Sequence, residues 1–173
     1  METLEAIKSR RSVKKFKPDM LPKALVDQVI EAGTWAATGK NAQSPIIVAV
    51  TDRAVRDELA RENARVLGQS EDFDPFYGAP VILVVLADKA MFTHIYDGSL
   101  VMGNMMLAAH DLGLGSCWIH RAREEFELPR WQEWLRSLGI QGEYEGIGHL
   151  ALGYADMTPA EKPRKAGWVY YVD

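Results

Sequence analysis

A short basic segment near the N-terminus holds the residues best suited to chemistry. Residues 9–17 read Ser-Arg-Arg-Ser-Val-Lys-Lys-Phe-Lys, and residues 1–17 carry six basic and two acidic side chains in a chain whose net charge is -4. Guanidinium groups match phosphate oxygens through paired hydrogen bonds. A cluster of this size, interleaved with hydroxyls, suits one compact anion better than a long polyanion. The segment predicts a phosphate-binding site, and the alternative is a solvated basic face.

Three further stretches could each contact a planar, phosphorylated cofactor. They are an amide-rich loop at residues 38–45, a helix rich in small residues at about 93–112, and a glycine-bounded strand at 116–120. Each stretch has an ordinary structural explanation when it is taken alone. Their order along the chain, together with the basic segment, favours a cofactor site.

Several common kinds of site are absent from the sequence. It has no Walker loop, no G-x-S-x-G elbow, no H-E-x-x-H and no complete G-x-G-x-x-G after a strand. The four histidines lack close metal-ligand spacing, so we expect no metal site. Cys117 is the only cysteine, which rules out an internal disulfide. We interpret it as a small buried hydrophobe rather than a nucleophile.

The composition is that of a single globular domain spanning residues 1–173, with 47% hydrophobic and 25% charged residues. An isoelectric point near 5.6 speaks against general nucleic-acid binding. The N-terminus is charged rather than apolar, so we expect no signal peptide. The longest apolar run, Val81–Ala87, is far shorter than the roughly 20 residues of a membrane span. We therefore expect a cytoplasmic protein without a membrane partner.

Hydrophobic periodicity and turn residues predict the elements that position these stretches. Val81–Ala87 is a continuous branched run, which is typical of a strand buried on both faces of a sheet. The helix at about 93–112 is apolar nearly all round and is expected to be the central helix. The other predicted helices lie at 3–9, 22–37, 52–67 and 128–138, and the other strands at 46–51, 116–120 and 147–154.

The C-terminal residues Trp168–Val172 are apolar and β-prone. Such a segment would aggregate if it were left free, so we expect it to pair with a sheet edge. That edge can belong to a second subunit.

Six motifs in order give the chain a resemblance to the FMN-dependent nitroreductase family along nearly its whole length. The family's R-R-S-x-R/K-x-F pattern stands at 10–16, and its N-x-Q loop stands at 41–43 before a strand. The remaining four are A-P at 79–80, D-x-(G/A)-x-x-x-x-N-x-x-L-A-A at 97–109, G-L-G-S-C-W-I at 113–119, and G-Y followed by proline and basic residues at 153–165.

The resemblance implies an α+β fold with a mixed sheet wrapped by helices. It implies a homodimer with two FMN sites at the subunit interface, and a C-terminal strand that is exchanged between the subunits. The expected activity is ping-pong electron transfer from NAD(P)H through FMN to an electron-poor acceptor such as a nitroaromatic or a quinone. The alternatives are an FMN carrier or sensor without significant turnover, and a plain dimerisation module.

The resemblance also implies ligands at the phosphate end of FMN. Arg10 and Ser12 are expected to hold the phosphate and the ribityl chain, with Arg11 alongside. From the C-terminal tail, Arg164 and Lys165 would reach the same phosphate.

At the ring end, Lys14 is expected to lie near the pyrimidine edge. Its charge would stabilise the reduced ring, and this is the one catalytic role that we assign, because the cofactor carries the difficult step. Lys8, Lys15 and Lys17 are expected to be solvated.

The remaining cofactor contacts come from two other stretches. Asn41 and Gln43 would hydrogen-bond the ring or the ribityl chain, and the backbone of Trp118, Ile119 and His120 would face the flavin N5 atom. The sequence departs from many relatives at two places. Ser44-Pro45 follows Gln43 where Q-P-W is common, and His120 stands where a small residue is common. The connection at 68–77 is the expected cover for the pocket.

Overall fold

A four-stranded antiparallel sheet lies between two layers of helices in the computed structural model, which describes residues 2–70 and 72–173. The spatial order of the strands is β1-β2-β4-β3, so β1 and β3 form the two edges. An isolated parallel bridge joins Ser12 to Ser116 on β3. The α+β class is confirmed. The strands are β1 Pro45–Val50, β2 Val81–Asp88, β3 Gly115–Ile119 and β4 Tyr144–Gly153.

Six α-helices and one short 3-10 turn surround this sheet in the described residues. One face of the sheet packs against α2 and α4, and the other face packs against α3, α5 and α6. The helices are α1 Thr3–Ser9, α2 Lys23–Thr34, α3 Arg53–Val66, α4 His94–Asp111, α5 Ala122–Phe126 and α6 Pro129–Ser137, and the 3-10 turn is Gly39–Asn41.

Strand β2 confirms the prediction of a strand buried on both faces. Its residues from Val81 to Ala87 have no exposed surface. Successive side chains of a strand point to opposite faces, and they accordingly alternate between the two hydrophobic clusters. The continuous apolar run exists because helices cover both faces.

Helix α4 is the central helix, but it is not buried all round. Its inner face packs on the sheet, where Gly98 lies so close to Ile147 that an added Cβ would come within 2.5 Å of the Ile147 Cγ1 atom. Its outer face exposes Ile95, Tyr96 and Leu100. The sequence alone could not separate a helix buried by its own chain from one that leaves an apolar stripe open.

Other predictions needed smaller corrections. Helix α2 ends at Thr34 rather than at residue 37, and β4 begins at Tyr144, three residues before its predicted start. Helix α5 was not predicted, because five residues rich in charge show no helical period. On α3, the charged residues Arg56 and Glu62 are buried.

The C-terminal residues Trp168–Val172 form no strand within the described chain and are exposed. Their pairing with a sheet edge stays a prediction. In the part of the chain that the structure describes, no helix has the length and apolar character needed to cross a bilayer.

Candidate functional site

The basic segment lies along the outer edge of β3. The amide of Val13 donates a hydrogen bond to the carbonyl oxygen of Ser116 at 3.0 Å, next to the parallel bridge between Ser12 and Ser116. Val13 is buried against Gly115, where an added Cβ would lie 3.0 Å from the Val13 Cγ2 atom. Ser12 and Lys14, on either side of Val13, are exposed. Buried Val13 therefore fixes the middle of the segment and leaves its two neighbours at the surface.

This arrangement gives an elongated site. An extended chain advances about 3.3 Å per residue, so the backbone from Arg10 to Lys14 spans roughly 13 Å. A ligand that lies along this segment would meet a guanidinium at one end, a hydroxyl in the middle and an ammonium at the other end. The spacing suits an elongated ligand with a phosphate at one end.

A cleft of about 450 Å³ opens at the Arg10 end. One guanidinium nitrogen of Arg10, Nη1, is buried there and has no hydrogen-bond partner among the described residues. A buried N–H group without a partner is costly, and a phosphate oxygen would satisfy it. The donor set therefore fits a phosphate. The cleft is lined by Ser9, Arg10, Arg11, Val13, His110, Gly113, Leu114, Gly115, Ser116, Ala155, Met157, Thr158 and Pro159.

Arg11 is held by other protein groups. Its Nη2 atom donates to Glu161 Oε1 at 3.0 Å, and its Nη1 atom donates to the carbonyl oxygens of Lys8 and Arg10 at 2.6 and 2.9 Å. These bonds tie the tail after β4 to the end of α1. Arg164 and Lys165, further along the tail, are exposed and do not line the cleft. The assignment of these three residues to a phosphate stays a prediction.

Lys14 lies at the other end of the segment, beside Tyr77. Its Nζ atom is 5.9 Å from the centroid of the Tyr77 ring, and its amide donates to Met157 Sδ at 3.2 Å. Cys117 lies beneath the segment. Burial raises the pKa of the Cys117 thiol, although the Ser12 hydroxyl and the charges of Lys14 and Arg10 act in the opposite direction. A buried thiol with a raised pKa fits the interpretation of Cys117 as a small hydrophobe.

At the end of β3, the groups that could contact a cofactor are backbone groups rather than side chains. Trp118 packs against the cluster on the α2 and α4 side of the sheet, and Ile119 packs against the opposite cluster. His120 is exposed, and its carbonyl oxygen accepts a 2.8 Å hydrogen bond from Asn63 Nδ2. The geometry is compatible with a backbone contact to a cofactor, which stays a prediction.

Asn63 is a site residue that the sequence reasoning missed. It is completely buried on α3 and fixes the turn after β3. The sequence does contain one indication of this role. Asn63 follows Leu59 by four residues, which places its amide side chain on the inward face of the predicted helix.

The loop with Asn41 and Gln43 is strained and is held by a buried carboxylate. Lys40, Asn41 and Gln43 have φ angles of 53°, 53° and 50°, which only glycine adopts freely. Conformations of this kind cost about 1–3 kcal/mol each and persist only where the surroundings enforce them. Asp97, 3% exposed, accepts hydrogen bonds from the Gly39 amide at 2.9 Å and, more weakly, from Ser44 Oγ at 3.4 Å. Thr93 Oγ1 donates to the same carboxylate at 2.9 Å.

A single chain does not bring this loop to the basic segment. Asp97 lies in the first turn of α4, whereas His110, which contacts Ser9 Oγ at 2.8 Å, lies in its last turn. At 1.5 Å per residue these turns are about 20 Å apart. The loop also precedes β1, while the segment borders β3 at the opposite edge of the sheet. Three strand spacings add a separation of about 14 Å across the sheet.

Comparison with known proteins decides the family. Residues 7–154 match the family model described as the nitroreductase family. The chain belongs to the nitroreductase family. It is 29% identical over 175 residues to the NADPH-flavin oxidoreductase of Vibrio harveyi, an alignment that covers 94% of this chain and 69% of that protein.

Solved structures of the family have the same fold. A nitroreductase with bound FMN from Bacteroides fragilis superposes with a TM-score of 0.89 at 30% identity and covers 100% of both chains. One with bound FMN from Desulfitobacterium hafniense superposes with a TM-score of 0.88 at 25% identity, again over 100% of both chains. The resemblance inferred from the motifs is therefore confirmed.

The contacts of Asp97 predict the effect of changing it. Asp97→Asn removes the charge that three donors share, and hydrogen bonds to charged groups contribute about 1.5–3 kcal/mol each. We expect the free energy of unfolding to fall by about 1–3 kcal/mol and amide hydrogen exchange at residues 39–44 to accelerate. Asp27→Asn, which removes a surface ion pair with Lys23, is the control and should change neither quantity appreciably. Unchanged exchange in the Asp97 variant would contradict the role given to this carboxylate.

Proposed function

We propose that the chain is an FMN-dependent oxidoreductase that takes electrons from NAD(P)H and passes them to an electron-poor acceptor, such as a nitroaromatic or a quinone, in a ping-pong cycle. The observation that carries the proposal is the buried Nη1 atom of Arg10, which has no partner among the described residues and lies at one end of a segment that presents Lys14 at the other. Two similar structures contain FMN, and a similar protein is an NADPH-flavin oxidoreductase.

The phosphate end of the site is built from Arg10 and Ser12. The guanidinium of Arg10 donates to phosphate oxygens, and the Ser12 hydroxyl hydrogen-bonds the phosphate or the ribityl chain. Arg11, Arg164 and Lys165 add positive charge around this end. Arg11 also keeps its bond to Glu161, which holds the tail near the cleft.

The ring end of the site sets the electronics. FMN, when bound, supplies reversible two-electron redox chemistry, so the protein needs no separate acid or base for electron transfer. The Lys14 ammonium places a positive charge near the pyrimidine edge and favours the reduced state. The backbone of Trp118, Ile119 and His120 orients the opposite side of the ring. His120 is exposed at this position and limits the approach of the acceptor.

The site is completed by a second copy of the chain. Asn41 and Gln43 lie too far from the basic segment of their own chain to share a ligand with it, so they reach the cofactor of the partner. The outer face of α4 supports this assembly, because Tyr96, Leu100, Gly103 and Leu107 recur at helical spacing along an exposed or half-buried stripe. An apolar stripe of this kind is typical of a protein interface.

The C-terminal segment Trp168–Val172 extends the same assembly. The outer edge of β3 is occupied by the basic segment, whereas no strand pairs with the outer edge of β1 within the described residues. An open edge accepts an additional strand through main-chain hydrogen bonds. The segment of one subunit therefore pairs with the sheet of the other. A reducing cytoplasm is the compartment that supplies NAD(P)H to this homodimer.

Anaerobic spectroscopy tests the proposal. Purified protein should be yellow, release FMN on denaturation and lose its flavin absorbance when NADH or NADPH is added without oxygen. Addition of a quinone or a nitroaromatic should then restore the absorbance over many turnovers. Protein that binds FMN but turns over neither acceptor would be a carrier or sensor. Colourless protein that cannot be reconstituted with FMN would contradict the proposal.

Two substitutions separate the ends of the site. Arg10→Ala should weaken FMN binding more than it slows flavin reduction, because it removes a phosphate ligand. Lys14→Ala should slow reduction more than it weakens binding, because it removes the charge near the ring. The measurements are FMN dissociation constants by fluorescence and reduction rates by anaerobic stopped flow. If both substitutions changed the dissociation constant and the reduction rate equally, the separate roles given to Arg10 and Lys14 would be wrong.

The dimer predicts a difference between two leucines that are both 50% exposed in the single chain. Leu100→Glu places a charge in the α4 interface and should produce monomers with at least about tenfold weaker FMN binding, since a buried unpaired charge costs several kcal/mol. Leu138→Glu, at the end of α6, should leave the dimer intact. Light scattering after gel filtration measures the mass. A dimeric Leu100→Glu protein would contradict the assigned interface.

A further inference from the structure

Tyr77 adopts a backbone conformation that needs an explanation. Its φ angle is 56°, in the left-handed region, where a bulky aromatic residue is a genuine outlier. Conformations of this kind cost about 1–3 kcal/mol and cluster at functional sites. Some group must therefore hold the backbone of this turn in place. We also expect the Tyr77 side chain, which the turn presents, to have a function.

An ion pair between buried Arg56 and partly exposed Asp74 holds the turn. Asp74 accepts hydrogen bonds from Arg56 Nη2 at 2.5 Å, from the Phe76 amide at 2.9 Å and from the Gly78 amide at 2.8 Å. The Arg56 guanidinium is buried and lies 5.4 Å from the centroid of the Phe76 ring. The Tyr77 amide donates to the carbonyl oxygen of Asp74 at 3.2 Å. Helix α3 thus fixes the backbone on both sides of Tyr77.

Tyr77 contacts the basic segment in two ways. Its carbonyl oxygen accepts a 3.3 Å hydrogen bond from the Phe16 amide, and its ring faces the Lys14 ammonium at 5.9 Å. Met157 holds the backbone of Lys14 rather than its ammonium. Among the described residues, the Tyr77 ring is the group that the structure places against the Lys14 charge.

We propose that Tyr77 is a positioning residue that holds the Lys14 ammonium beside the cofactor ring without neutralising it. An aromatic face attracts a cation yet leaves its net charge in place, whereas a carboxylate would cancel that charge. The neighbouring lysine shows the contrast, because Lys15 Nζ lies 2.7 Å from Asp156 Oδ2 in an ion pair. Asp156 partly offsets the charge of Lys15 in this surface pair, whereas the structure places an uncharged ring against Lys14. The inference rests on the proposed function and extends it to a residue that is not among the assigned cofactor ligands.

The experiment compares Tyr77→Asn with Tyr77→Phe in the reconstituted protein. Asparagine tolerates the left-handed conformation, so it keeps the turn and removes the ring. Phenylalanine keeps the ring and removes only the hydroxyl. The readouts are the dissociation constants of oxidised and reduced FMN, whose ratio sets the midpoint potential of the bound flavin. Circular dichroism checks that each variant is folded.

Tyr77→Asn should weaken the binding of reduced FMN about two- to fivefold more than that of oxidised FMN, which corresponds to the usual strength of an exposed cation–π contact. Tyr77→Phe should leave the ratio unchanged. In a Lys14→Met background, Tyr77→Asn should have no further effect on the ratio.

Three results would overturn the inference. They are an unchanged ratio in folded Tyr77→Asn protein, a changed ratio in Tyr77→Phe, and an effect of Tyr77→Asn that persists without Lys14. Should Tyr77→Asn fail to fold, Tyr77→Gly, which also removes the ring and adopts a positive φ freely, is measured in its place against the same criteria. Failure of the proposed function is distinguishable, because the unmodified protein would then bind no FMN, or would bind it without turning over a quinone or a nitroaromatic.

Discussion

The pairing of the Arg10–Lys14 segment with β3 is the interaction on which the site depends. It consists of the bond from the Val13 amide to Ser116 and the burial of the Val13 side chain. This anchor sets the position of Arg10, Ser12 and Lys14 relative to β3. Because β3 is an edge strand, it can accept the segment on its outer side. Pairing with the sheet thus fixes the order and spacing of the charged side chains along the edge of β3.

Burial and partners, rather than charge alone, give the basic residues different roles. Arg10 keeps a buried nitrogen that has no partner among the described residues, Arg11 binds the tail through Glu161, and Lys15 forms a surface ion pair with Asp156. Lys14 faces an aromatic ring and retains its charge. These residues have different roles because the backbone is extended, and successive side chains of an extended backbone point in different directions. The amino-acid sequence shows only four positive charges here, whereas the contacts of each side chain show how the four residues differ.

Local patterns predicted much of the fold, because they reflect local causes. The branched run of β2 and the helix beginning at residue 52 were both visible in the sequence, and Asp52 Oδ1 caps that helix by accepting a hydrogen bond from the Val55 amide at 3.0 Å. Buried charges were not, since Arg56 and Asp97 find their partners far along the chain. The motifs also could not reveal that Asn41 and Gln43 lie at the opposite edge of the sheet from Arg10. That separation depends on strand order, which no single segment encodes.

The central claim is that one segment orders the cofactor while a second copy of the chain completes its site. A crystal structure of the protein with FMN tests it most directly. The account predicts phosphate oxygens within hydrogen-bonding distance of the Arg10 guanidinium and the ring beside Lys14. It also predicts that the Asn41 and Gln43 side chains at that ring belong to the other subunit. A phosphate bound away from Arg10, or a site formed entirely within one chain, would contradict the account.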